Sequence, residues 1–165
     1  HRIDNSAEII RFSITPKGFH AMFLGTSSGT QFIDPFSEGG HIYTVYSKTD
    51  LEAINFDFEC GVIDDPILET AYDESLAIAR NANDGILRDY RIAIACTAEY
   101  TAFHGGTVDA ATAAMVVTMT RINGVYERDL SITMTMVPNS SIIFTNSETD
   151  PFDNHNTSLL INQSQ

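Results

Sequence analysis

The hydrophobic periodicity of the chain changes near residue 86, and this change restricts its fold more than any other feature of the sequence. Before it, short apolar runs alternate with glycine and proline at intervals typical of β-hairpins. After it, an alternating run is followed by apolar residues at steps of three and four, and then by alternation again. This order predicts an α+β fold, with a β-rich antiparallel first part and an α/β second part.

The first part is predicted to be an antiparallel meander. Four short apolar runs separated by turn residues occupy residues 7–15, 19–24, 31–34 and 41–47. Turns at such short intervals favour pairing between successive strands. The glycine-rich stretch 25–30 lacks the lysine and the following helix of a phosphate loop, so we interpret it as a hairpin turn.

Residues 49–85 are mostly polar and acidic, and they separate the two parts. A short helix is predicted over residues 73–83, and the stretch 81–85 has the composition of a linker. We therefore predict two domains, a β-rich domain over residues 1–85 and a second domain over residues 86–165.

The second part is predicted to order its elements as strand, helix, strand and strand. The strands are placed at residues 91–97, 130–136 and 141–145. Thr107 is a plausible N-cap for the helix, with Asp109 in its first turn. Asn123 and Gly124 are predicted to close the helix with a left-handed cap. The first two strands should then be parallel and joined by a right-handed crossover.

Charge and composition exclude several classes of partner. The formal net charge of −13 argues against nucleic acid and anionic membranes. No apolar run reaches the ~18 residues that a membrane-spanning helix needs. Few lysines and many asparagine, serine and threonine residues favour a secreted or cell-surface protein.

The sequence offers few residues for catalysis or metal binding. Its five histidines lie at positions 1, 20, 41, 104 and 155, with no two at the spacing of a His-Glu-x-x-His site. We predict no catalytic residue. Glu99 and Glu127 are candidate acid–base groups, but neither has an obvious catalytic partner, and structural ion pairing is favoured, for Glu127 with Arg121 or Arg128. Asp150 and Asp153 are weak calcium candidates through their oxygen atoms, against the alternative of an ordinary Asp/Asn loop.

The two cysteines, Cys60 and Cys96, are too few for a disulfide framework. A single bridge between them stays open, because sequence does not fix its geometry. Cys96 is interpreted as a small buried residue of the strand at 91–97.

The second part resembles the N-terminal half of a metzincin zinc endopeptidase. Three pieces carry the resemblance: Tyr90-Arg-Ile-Ala-Ile-Ala-Cys-Thr-Ala-Glu-Tyr-Thr, then His104-Gly-Gly-Thr, then Asn123-Gly-Val-Tyr-Glu-Arg-Asp-Leu. They are similar to the first strand, the start of the first long helix and the approach to the second strand of reprolysin/adamalysin-type enzymes, particularly bacterial secreted members. The resemblance implies an incomplete catalytic domain over residues 86–165.

By position, the resemblance makes residues 1–85 a pro-domain. Cys60-Gly61-Val62 is similar to the core of the cysteine-switch motif, although Phe58 and Glu59 replace the residues that precede it in the family. A thiolate is a strong zinc ligand and would exclude the catalytic water. Cys60 is therefore the candidate inhibitory zinc ligand, with a buried or bridged cysteine as the alternative.

The family's zinc-binding motif, His-Glu-x-x-His-x-x-Gly-x-x-His, does not occur in this chain and would lie after Gln165. The resemblance thus implies zinc in the complete enzyme but no catalytic zinc and no activity for this chain alone. Its partner would be the C-terminal half of the protease.

Two other functions stay open. One is a non-catalytic extracellular structural protein whose identical subunits cover exposed edges and form a filament. The other is a secreted binding module.

Overall fold

The first part of the protein folds into a four-stranded antiparallel sheet. The structure, a computed structural model, describes residues 8–37, 41–51, 85–138 and 140–152. The strands pair in sequence order as β1 (Ile9–Thr15), β2 (Gly18–Thr26), β3 (Gly29–Pro35) and β4 (Tyr43–Ser47). A short 3-10 helix, Lys48–Asp50, follows β4. The predicted meander is confirmed.

The described residues of the second part form two parallel strands and two helices. The strands are β5 (Arg88–Ile92) and β6 (Ile132–Met136), and the helices between them are α1 (Ala98–Phe103) and α2 (Val108–Leu130). With the antiparallel sheet, these elements confirm the α+β class and the parallel pairing of the first two strands.

Both helices begin at a threonine N-cap. The Thr107 side chain accepts a hydrogen bond from the Ala110 amide, as predicted for α2. Thr97 does the same for the Tyr100 amide and starts α1. The predicted strand at 91–97 is therefore wrong at its C-terminal end. Regular pairing stops at Ile92, and Cys96 forms only an isolated bridge with Ile143.

The end of α2 also differs from the prediction. The helix passes through Asn123 and Gly124 and ends at Leu130, and its C-cap Ser131 has a left-handed φ of 54°. The Asn123 side chain instead bonds across to β6, where its Nδ2 donates to the Met134 carbonyl at 2.8 Å and its Oδ1 accepts from the Met134 amide at 2.9 Å. This tertiary contact keeps Asn123 inside the helix.

The predicted strand at 141–145 is wrong. Residues Ser140–Ile142 form a 3-10 turn, and beyond it Ile143 makes the bridge to Cys96. The apolar residues of this stretch contribute to packing and do not pair as a third strand beside β5 and β6, since Ile143 packs against the buried cluster beside α2.

Helix α2 is covered on two sides. On one side, Ala111 and Met115 pack with Cys96, against Met136 of β6 among others. On the other side, strands β1 and β2 lie across the helix near Gly124. The predicted helix at 73–83 and all but the last residue of the predicted linker at 81–85 lie outside the described residues, and the domain boundary at residue 85 stays a prediction.

Candidate functional site

The surface where the four-stranded sheet meets α2 carries a cluster of polar side chains, which we call the sheet–helix interface. In β1 the alternation places Arg11 and Ser13 on the side of α2, because Arg11 lies against Gly124 of the helix. Ile14 points the other way and is 77% exposed. The sheet therefore turns a largely polar row of its first strand toward the helix.

Asp34 of β3 is the centre of this interface. Its carboxylate lies 2.6 Å from the His20 ring nitrogen Nδ1, accepts from the Tyr46 hydroxyl at 2.6 Å, and accepts from the Arg121 guanidinium. An ionised carboxylate only accepts, so the His20 ring donates from Nδ1 when Asp34 is charged. Three converging donors offset the cost of burying a carboxylate that is only 19% exposed.

Aromatic rings fix the position of Arg121. Its guanidinium carbon lies 5.3 Å from the centre of the Phe32 ring, in the geometry of a cation–π contact. Phe32 in turn stacks on Tyr46, with ring centres 5.3 Å apart. Burial raises the pKa of Tyr46, and its hydrogen bond to Asp34 raises that pKa further. Tyr46 thus stays a protonated donor well above neutral pH.

A second ion pair joins β1 to α2. Arg11 pairs with Glu127, and Glu127 also accepts from the Thr133 hydroxyl at 2.7 Å. The predicted structural ion pair of Glu127 forms, but with Arg11. The two arginines that were predicted as partners are used elsewhere, Arg121 with Asp34 and Arg128 with Asp129.

A third contact lies at the other end of the interface. The Lys17 ammonium, in the turn between β1 and β2, donates to the His104 carbonyl at 3.0 Å. Burial lowers the pKa of His104, and the nearby Lys17 charge lowers it further. The His104 ring lies 4.4 Å from the Tyr100 ring, measured between centres.

Asp150 supports the start of α1. One carboxylate oxygen accepts from the Ala98 amide at 2.5 Å and the other from the Phe152 amide at 2.9 Å. Both oxygens thus serve the backbone, which is the role of a residue in an ordinary Asp/Asn loop. Calcium binding stays a prediction, because Asp153 lies outside the described residues.

Cys96 is a free, buried thiol. Its sulfur lies 3.4 Å from the Thr101 hydroxyl, beside a mainly apolar cavity of about 380 Å³. Cys60 lies outside the described residues, so the cysteine switch stays a prediction.

Within residues 8–37, 41–51, 85–138 and 140–152, no three or more histidine, cysteine or acidic side chains are grouped to hold a metal ion. In the same residues, no helix is long and apolar enough to cross a membrane.

Sequence patterns did not identify the sheet–helix interface. Asp34 and Arg121 are ordinary charged residues in a strand and a helix, and no spacing rule connects them. The one available signal was the inverted alternation of β1, in which isoleucine and phenylalanine occupy the face opposite to Arg11 and Ser13.

Residues 87–165 match the family model Reprolysin_4, described as metallo-peptidase family M12B, reprolysin-like. The match contains both helices and the parallel strands β5 and β6. It supports the resemblance of this segment to a reprolysin-like metallopeptidase. No curated protein and no solved structure matches the chain.

Proposed function

We propose that this chain is the N-terminal section of a secreted zinc endopeptidase precursor. In it, residues 1–85 act as a pro-region that confers latency, and residues 86–165 form part of the scaffold of the substrate cleft. The zinc ligands and the general base belong to residues after Gln165, as the metzincin motif requires.

The position of the family match on the fold is the observation that carries this proposal. The matched residues 87–165 contain a parallel strand pair with α2 between its strands. An M12B metallopeptidase implies zinc in the complete enzyme. The family's zinc-binding motif does not occur in this sequence, so in the proposed enzyme residues 86–165 contribute scaffold rather than catalytic ligands.

The coding sequence after Gln165 gives the first test. We expect a His-Glu-x-x-His-x-x-Gly-x-x-His motif in the same reading frame. The full-length product should contain one equivalent of zinc by elemental analysis and cleave peptides in a chelator-sensitive manner. Replacing the motif's glutamate with glutamine is the matched control for activity. A reading frame without the motif contradicts the proposal.

Latency is tested separately with the two cysteines. In the full-length precursor, Cys60→Ala should speed activation, because removal of the thiolate frees a zinc coordination position for water. Cys96→Ala is the matched control, since Cys96 is buried beside α2. Equal activation of the wild type and Cys60→Ala would remove the switch but leave the protease assignment standing.

One observation favours a second candidate, a structural protein that assembles from identical subunits. The face of the four-stranded sheet that points away from α2 exposes large apolar side chains, including Phe12, Ile14 and Val45. Exposed apolar patches on sheets are common association sites. Size-exclusion chromatography and electron microscopy would detect filaments, and a monomer at all concentrations would exclude this candidate.

A further inference from the structure

The sheet–helix interface has the chemistry of a contact between separate proteins. The sheet turns Arg11, Ser13 and Asp34 toward α2 and leaves Ile14 and Val45 of its other face exposed. A sheet that shared one core with the helix would place its apolar face inward. The interface thus includes charged and polar side chains that the centre of a single domain would not normally hold.

The same interface leaves polar atoms unsatisfied. In the part of the chain that the structure describes, four buried side-chain polar atoms have no hydrogen-bond partner: Arg11 Nε, Ser13 Oγ, His20 Nε2 and Arg121 Nε. All four residues lie on the sheet face toward α2 or on α2 itself. Buried unsatisfied groups are rare in a single core and each opposes the association. Their concentration here favours two units that can part.

The contact is nevertheless specific. Met22 and Leu24 are 3% and 1% exposed and pack over Gly124 of α2. A Cβ atom at Gly124 would lie 2.6 Å from Met22 Cε, so a larger residue there would force the end of the Met22 side chain to move. Ion pairs flank this apolar centre on two sides, Arg121 with Asp34 and Arg11 with Glu127. An apolar centre with a charged surround is typical of recognition surfaces between proteins.

We propose that residues 8–51 are a separable subunit that stays bound to α2 without a covalent connection after the chain is cut between Leu51 and Gly85. This proposal rests on the proposed precursor function and assigns the docking surface of the pro-region to the α2 face at Gly124 and Arg121. Cutting the connection would then not be sufficient for release, which would need the ion pairs to be weakened as well.

The test uses the whole chain with a recognition sequence for a site-specific protease inserted between Leu51 and Gly85. The folded protein is cut and then separated by size-exclusion chromatography. We expect the two pieces to elute together in dilute buffer, and their dissociation constant to rise at least about tenfold in molar salt, which screens the ion pairs. Separation of the wild-type pieces in dilute buffer overturns the proposal.

Two variants locate the docking surface. Arg121→Met removes the charge that holds Asp34, and Gly124→Leu fills the space that Met22 occupies. Both should elute as two separate pieces after cutting. The matched controls on the same helix are Arg128→Met, whose partner is the neighbouring Asp129, and Val125→Leu, which is 37% exposed. Both controls should elute as one complex.

If the two pieces elute as one complex in all four variants, the assigned surface is wrong. Circular dichroism before cutting shows whether each variant is folded. If the Gly124→Leu variant is not folded, Asp34→Asn is used in its place, because asparagine keeps the shape of the aspartate side chain. None of these measurements needs zinc or peptidase activity, so failure of the precursor function and failure of this interface are distinguished.

Discussion

Arg121 on α2 donates a hydrogen bond to Asp34 on β3, although 87 positions separate the two residues in the sequence. The Asp34 side chain is 19% exposed and that of Arg121 34%. Water therefore screens the pair only in part. The pair holds the four-stranded sheet against the helix, together with the Arg11–Glu127 pair of the same interface.

Asp34→Asn should lower the free energy of unfolding by about 2 kcal/mol, the range of a hydrogen bond to a charged group. Asparagine keeps the shape of the aspartate side chain but lacks its negative charge. Arg121, His20 and Tyr46 all donate hydrogen bonds to that charge. Urea denaturation followed by circular dichroism measures the change. Asp129→Asn is the control, because Asp129 pairs with Arg128 at the exposed end of α2. An equal loss in both variants would show that Asp34 has no special role.

Gly124→Ala should destabilise the protein despite the better helix propensity of alanine. In an exposed helix this change gains about 1 kcal/mol. Here the new Cβ would lie 2.6 Å from Met22 Cε and 3.0 Å from Arg11 Cγ. Overpacking of this kind costs about 1–3 kcal/mol, so we expect a net loss, measured as a lower Tm.

Met22→Leu supplies the matched background for Gly124→Ala, because leucine has no atom at the position of Met22 Cε. In that background the alanine should be neutral or stabilising, and the double-mutant cycle reports the coupling directly. If Gly124→Ala costs the same in both backgrounds, the close approach of Met22 is not the cause.

Local patterns in the sequence were sufficient for the meander and for the start of α2. Turn residues at short intervals predicted the order and pairing of β1 to β4, and Thr107 was recognised as the N-cap because capping depends on a few adjacent residues. These features need no information from distant parts of the chain.

Local patterns failed where distant contacts decide the structure. Asn123 and Gly124 have the composition of a helix end, but Asn123 bonds to the Met134 backbone and Gly124 admits Met22. Both contacts keep the helix intact for almost two more turns. The interface at Asp34 was missed for the same reason, since the strand and helix that meet there carry no shared signature.

Tyr46 should give the protein an alkaline transition. Burial, and then the hydrogen bond to Asp34, raise the pKa of Tyr46 above its ordinary value of 10.0. The folded chain therefore holds this proton more tightly than the unfolded chain. The contribution to stability is complete below pH 10 and is lost as the pH rises through the raised value.

Tyr46→Phe should remove that alkaline component of the stability profile. It should also remove a phenol with a raised pKa from an ultraviolet titration of the native protein. Tyr43→Phe on the same strand is the control. A titration in which Tyr46→Phe removes an ordinary phenol would refute the assigned environment.

His104 should make the protein less stable toward acid. Burial, and then the Lys17 charge, lower the pKa of His104 below its ordinary value of 6.5. Between the lowered value and 6.5 the unfolded chain binds more protons than the folded chain, so stability rises with pH through this window. Above pH 6.5 His104 no longer lowers the stability of the folded chain. Below that value protonation of His104 favours the unfolded chain.

His104→Gln isolates this effect from the carboxylates that also titrate in acid. The backbone carbonyl that accepts from Lys17 is retained in the variant, so the hydrogen bond between Lys17 and residue 104 is kept. We expect the loss of Tm between pH 7 and pH 5 to be smaller in His104→Gln than in the wild type. In the Lys17→Met variant, nuclear magnetic resonance titration of His104 should show a higher pKa, because one of its two causes is gone. An unchanged pKa would assign the whole shift to burial.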